Sequence, residues 1–218
     1  MCSSDLLLYK LKGTQFVFEK MNQLENAEVF FQNSKKKLVR KSTHDLFAKK
    51  DILICGVNGA YVPTDVQQVK DFEKAYDDIT ACGVDEIYFV SMNDDYVMSA
   101  WWKSLKIKKC KYLPDGSGAF TLRLNNQGGM SGGLTVCEMY NKGMGKRSWR
   151  YLLLLEDNCQ MSYVEEETPE RKEDRDNLEE DPYKLTTPAE CIKWLNGRQQ
   201  KARIDASNDH SNDPARPV

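Results

Sequence analysis

Apolar residues near the N-terminus fall in short groups, FVFEK (16–20) and AEVFF (27–31), separated by the polar MNQLEN. This spacing predicts two short strands. The basic run KKKLVRK (35–41) follows. Without interleaved aromatics or glycines it reads as a solvated hairpin rather than a nucleic-acid patch. Ser42–Phe47 has the composition of a short helical turn. At Ile52 the pattern changes to an unbroken apolar run, Ile52-Leu53-Ile54-Cys55, as expected of a strand buried on both faces.

Beyond a turn-rich segment, Val66, Val69, Phe72, Tyr76 and Ile79 recur at steps of three and four, one face of a helix. Thr64 followed by Gln67 fits a capping box, which makes Asp65 the first helical residue, and Gly83 closes the helix. EIYFVSM (86–92) is a second buried strand, and Asn93 or Asp94 caps a helix through Met98, Trp101 and Leu105. Trp101 and Trp102 are adjacent in that helix and cannot both face the core, so one of them is expected to be partly exposed. CKYLPDGSGAF (110–120) reads as a strand, a turn and a helix starting near Gly118, and Gly128–Gly133 as an irregular loop. SWRYLLLLE (148–156) and CQMSYVE (159–165) flank Asp157-Asn158 as an antiparallel hairpin. Thr187-Pro188 opens a closing helix through Ile192 and Leu195.

The order predicts an α/β fold, a central mixed sheet flanked by helices, compatible with a thioredoxin-like architecture. Residues 1–42 are expected to form an N-terminal hairpin extension and residues 43–196 the main domain, with an exposed acidic insertion at 165–181. Residues 197–218 read as a disordered polar tail.

Composition sharpens this in two places. The formal net charge of −2 hides ten Lys/Arg against five Asp/Glu in residues 1–50, and ten acids against three bases in residues 165–181. The seven cysteines are scattered without a CxxC pair, which argues against a metal site or a secreted disulfide framework and for reduced thiols. Only three consecutive apolar residues follow MCSSD, and no run approaches a membrane span, so a cytoplasmic, soluble protein is expected. His44 and His210 are too far apart to suggest a triad or metal site, and the glycines match no phosphate-binding loop. No cofactor, metal, nucleic acid or membrane insertion is expected.

Six stretches, THDLFAKKDILI, NGAYVPT, GVDEIYFVSMNDDYVMSAW, PDGSGAFT, GKRSWRY and DPYKLTTPAECIKWL, occur together in one order. Through them, from about Thr43 to Val164 and from Asp181 to Leu195, the chain resembles the type-5 peroxiredoxins in their longer bacterial form. The resemblance implies a thioredoxin-like fold with an extra N-terminal hairpin. It also exposes departures. The family's catalytic loop reads Pro-Gly-Ala-Phe-Thr-Pro-Thr-Cys; here the eight positions are Asn58, Gly59, Ala60, Tyr61, Val62, Pro63, Thr64 and Asp65. Asn58 replaces the shielding proline, Val62 the threonine that binds peroxide, and Asp65 the peroxidatic cysteine. The family's arginine falls on Arg150, with Arg147 in the same segment.

Peroxide reduction needs a polarisable thiolate, which a carboxylate cannot replace. The resemblance therefore implies a pseudoenzyme with a degenerate site at Asn58, Val62, Asp65 and Arg150, supported by Thr64 and Arg147, and serving binding, assembly or structure. The alternative is a thiol peroxidase acting on hydrogen peroxide or alkyl hydroperoxides through a relocated cysteine. A third reading, hydrolytic or acid–base chemistry at Asp65, would need a second carboxylate or a histidine nearby, with Asp94 and Asp95 as the candidates. Relatives often dimerise, so a homodimer or a place in a larger assembly is expected, with Tyr61, Trp101, Trp102 and Trp149 as possible aromatic anchors or core residues.

Overall fold

The computed structural model describes residues 7–11, 14–18, 23–126, 136–156, 159–167 and 181–198. Two antiparallel hairpins come first: β1 (Leu7–Leu11) with β2 (Thr14–Phe18), and β3 (Glu28–Gln32) with β4 (Leu38–Ser42). The basic run thus forms the turn and second strand of a hairpin. Asn33 Oδ1 fixes the turn by accepting from the N–H groups of Lys35 and Lys37. Ser42 caps the short helix α1 (Thr43–Phe47).

The main sheet contains β5 (Ile52–Gly56), β6 (Glu86–Ser91), β7 (Lys111–Pro114), β10 (Tyr151–Glu156) and β11 (Gln160–Glu166), in the order β11-β10-β5-β6-β7. β5, β6 and β7 run parallel, whereas β10 is antiparallel to both β5 and β11. This is the mixed sheet the sequence order predicts. Alternation along the strands sorts its two faces. Leu53, Cys55, Ile87, Phe89, Leu152 and Leu154 share one apolar cluster, while Ile52, Ile54, Tyr88, Val90, Leu153 and Leu155 belong to another.

Helices cover both faces. The first cluster receives Val69 and Phe72 of α2 (Pro63–Lys74), Ile79 of α3 (Tyr76–Thr80), Met98, Trp101 and Trp102 of α4 (Asp95–Leu105), and Cys191 and Leu195 of the closing helix (188–198). The second receives Phe47 of α1 and Phe120 and Leu124 of α5 (Ala119–Asn126). A small hairpin, β8 (Val136–Met139) with β9 (Gly145–Ser148), immediately precedes β10 in the chain.

Several local expectations are corrected. The helix from Pro63 breaks at Ala75, and its N-cap is Val62, not Thr64, with no side-chain cap bond. Pro63, lacking an N–H to satisfy, takes the first helical position instead. Gln67 bonds Asp71 rather than reaching back. Both tryptophans of α4 are buried, at 0% and 7% exposure. Trp102 packs against Phe89 and Tyr112 and donates Nε1–H to the Cys110 carbonyl, 3.0 Å away. Trp101 lies edge-on to Trp102 and near Tyr61 from the preceding loop. The proposed strand at 148–156 is two strands, β9 and β10, interrupted at Trp149 and Arg150. Residues 197 and 198 continue the closing helix, with Arg198 bonded to Glu156. The glycine-rich segment at 128–133 lies outside the described residues.

Candidate functional site

β5 delivers the chain to the site. Gly56 is required there: a Cβ would meet the Tyr151 ring at 2.2 Å and the Trp149 carbonyl at 2.7 Å. The loop that follows is fastened to β6 and its exit, with Val57 N–H donating to Val90 O and Ala60 N–H to Asn93 Oδ1. Tyr61 adopts φ 68°, an uncommon conformation for an aromatic residue that costs on the order of 1 kcal/mol, and its side chain is exposed. A turn from Val62 N–H to Gly59 O then leads into α2.

Asp65 is consequently the third residue of α2, not the first. Its side chain is fully buried and points back into the loop. Oδ2 accepts from Gly59 N–H at 2.9 Å, and Oδ1 accepts from Arg150 Nη2 at 2.6 Å. Arg150 projects from the break between β9 and β10 and is equally buried. Its Nη1 donates to Asp181 Oδ1 at 2.5 Å and to Pro182 O at 2.8 Å. Asn58, also buried, donates Nδ2–H to the same Asp181 oxygen at 3.3 Å.

One guanidinium thus joins two carboxylates. Burial pushes the Asp65 carboxyl up to about 6, against Arg150 and the Gly59 N–H, which favour its charge; Asp181 adds to the rise. Burial disfavours the Arg150 cation, but the carboxylates outweigh it and hold its pKa above the ordinary arginine value. Asp65 and Arg150 are both charged at neutral pH, and Asp65 takes up its proton on mild acidification.

Asn58, Asp65 and Arg150 therefore meet, while Val62 and Thr64 lie half-buried at the mouth of α2. Arg147 does not join them: its Nε–H donates to Met144 O and its Nη1–H to Met92 O. Asp94 caps α4 through Val97 N–H. Asp95 accepts from the Gln32 N–H, the Gln32 side chain and the Tyr112 hydroxyl. Neither is positioned as an acid–base partner of Asp65. His44 Nε2 lies 2.6 Å from Leu24 O. Of the four candidate aromatic anchors, only Tyr61 is exposed; Trp101, Trp102 and Trp149 are buried.

Two residues emerge as site components from a segment read as an exposed acidic insertion. Asp181 is half-buried on Arg150, and Glu167 is buried; Glu167 Oε1 accepts from the N–H groups of Lys184, Leu185 and Thr186, each at 2.7 Å, and from Thr186 Oγ1. The one sequence signal was that Asp181 opens the run DPYKLTTPAECIKWL. Among the described residues, no group of three or more His, Cys, Asp or Glu side chains is gathered to hold a metal, and no helix is long and apolar enough to cross a membrane.

The family profile described as Redoxin matches residues 20–181. Peroxiredoxin y4vD of Sinorhizobium fredii is 36% identical over 156 residues, covering 71% of this chain and 76% of the relative. The chain belongs to the peroxiredoxin family. Among other peroxiredoxins, Peroxiredoxin-2B of Arabidopsis thaliana is 37% identical over 147 residues, 66% of this chain and 76% of that protein. The crystal structure of the Plasmodium falciparum antioxidant protein, a 1-Cys peroxiredoxin, superposes with a TM-score of 0.69 at 29% identity, covering 82% of this chain and 99% of that one.

Proposed function

We propose that the chain uses a peroxiredoxin fold for binding or assembly rather than thiol peroxidase chemistry, with Asp65 in the place of the peroxidatic cysteine. The observation that carries this reading is the buried Asp65–Arg150 pair. A carboxylate beside that arginine supplies the negative charge of a thiolate but has no sulfur to become a sulfenic acid. Asp65 also accepts the Gly59 N–H, so it holds the loop where a reactive group would otherwise be presented.

The thiols support the same reading. Six cysteines, Cys55, Cys82, Cys110, Cys137, Cys159 and Cys191, are buried. Burial raises the pKa of Cys55 and Cys110, and pushes Cys191 up to about 12 and Cys159 to about 11. Reactive cysteines instead need thiolate character and access. A surface around the exposed Tyr61 is the part of this reading that concerns self-association or docking. Native mass spectrometry distinguishes monomer, homodimer and hetero-assembly.

The deciding experiment treats reduced protein with micromolar hydrogen peroxide and follows each cysteine by mass spectrometry, including Cys2. Slow, unselective oxidation is expected; rapid stoichiometric oxidation of one thiol would sink the proposal. Asp65→Ala separately tests the anchoring role. It should cost about 3 kcal/mol, the low end for breaking a buried pair, because Arg150 keeps Asp181. Unchanged stability and loop protection in that variant would remove the anchoring argument.

A further inference from the structure

Residues 181–187 lead from the far side of the insertion into the closing helix and lie against the Asp65 site. Their attachments are polar. Asp181 and the Pro182 carbonyl take Arg150 Nη1–H, and Asp181 also takes the Asn58 amide. Tyr183 Oη–H reaches Asp71 Oδ2 at 3.4 Å, and Gln68 Nε2–H donates to the backbone and side-chain oxygens of Thr186. Glu167 gathers the N–H groups of 184–186. Of residues 181–187, only Thr186 is buried. Hydrogen bonds and an ion pair hold this cover, not an apolar face.

That distinction governs how the cover opens. An apolar cover exposes surface that water does not replace, whereas polar contacts exchange for water or for another ligand with similar groups. The attachments also divide into two sets. Glu167 and Gln68 fix residues 184–186 beside the closing helix, while residues 181 and 182 rest on Arg150 and Asn58. Within the Arg150 guanidinium, Nη2 serves Asp65, Nη1 serves the cover, and the fully buried Nε has no hydrogen-bond partner among the described residues. Lifting residues 181 and 182 frees Arg150 Nη1 and Asn58 Nδ2, which converge on one Asp181 oxygen. Those donors suit a carboxylate.

We propose that residues 181–187 form an autoinhibitory strap, in which Asp181 acts as a built-in carboxylate ligand of Arg150 and closes the Asp65 site from within the chain. The strap pivots at the Glu167–Thr186 contact, and a carboxylate-bearing ligand competes with Asp181 for Arg150. This deepens the binding-protein reading and rests on it for the site's use.

Hydrogen exchange read by mass spectrometry on the full chain tests the strap. In Asp181→Ala, peptides covering 58–66 and 181–186 should exchange at least about tenfold faster, while those from β5 and β10 stay protected. Acetate, compared with chloride at equal ionic strength, should restore protection in the variant and leave the parent protein unchanged. Unchanged exchange at the site, or acetate acting no differently from chloride, overturns the proposal. Asp181→Asn keeps the side-chain shape and serves if the alanine variant does not fold. Global unfolding of both variants would make Asp181 a general stability residue and also overturn it. Peroxide reactivity of the parent's thiols reports separately on the binding-protein reading, so either idea can fail alone.

Discussion

Replacing Asp65 with asparagine tests the energetics of the buried cluster through the pH dependence of stability. Asp65 is fully buried and its carboxyl is raised from 3.8 to about 6, with burial outweighing Arg150 and the Gly59 N–H. Because the folded chain holds this proton more tightly than the unfolded chain, stability rises as pH falls through that window and is lowest above it. A shift of that size corresponds to about 3 kcal/mol, fully expressed above about pH 7 and absent well below about pH 4. Between about pH 7.5 and about pH 5, roughly 1 to 2 kcal/mol of it should be recovered. Asp65→Asn cannot titrate, so urea unfolding of both proteins at several pH values isolates the effect. The parent should gain on the variant by that amount as the solution is acidified. A flat difference would refute the reasoning. So would a parent that loses ground at lower pH, since Arg150 would then dominate burial and hold the carboxyl below its ordinary value.

Three further substitutions probe the scaffold around the site. Gly56→Ala places a methyl on the Tyr151 ring and the Trp149 carbonyl and should cost about 3 kcal/mol in urea unfolding, whereas a neutral result would show that Tyr151 has room to move. Trp102→Phe removes the donor to the buried Cys110 carbonyl and should cost about 1 to 3 kcal/mol by thermal melting; an unchanged melting temperature would mean that bond adds nothing. Asp94→Ala removes the cap on α4 and should cost about 1 kcal/mol, with exchange rising first at Tyr96 and Val97; uniform exchange would place the loss elsewhere.

The main sheet was legible because its strands announce themselves locally. Ile52–Cys55 is apolar on both faces and sits between β6 and β10, so an unbroken run was the right signal. The Asp94 cap was equally local. The start of α2 was not, because Thr64 has the composition of a cap, while Pro63 just before it suits the first helical position and leaves Val62 as the cap. The tryptophans misled because helical angles count directions rather than depth: Tyr112 beside Trp102 and Tyr61 beside Trp101 add cover that the helix alone does not show. Glu167 and Asp181 were hidden in a charge run whose average composition says solvent. Their partners, Thr186 and Arg150, are set by the return of the chain, which no window over the acidic segment contains.

The cysteines carry one more consequence. Cys55, Cys82, Cys110 and Cys191 all belong to the apolar cluster on one side of the sheet, contributed by β5, the end of the α3 region, the start of β7 and the closing helix. Four chain segments distant in sequence therefore each carry a chemical tag into the same interior. A brief pulse of alkylating reagent reads how these segments become accessible: equal labelling rates mean the domain opens as one cooperative unit, and early labelling of Cys191 means the closing helix detaches before the sheet gives way. The protein contains its own stopwatch for partial opening.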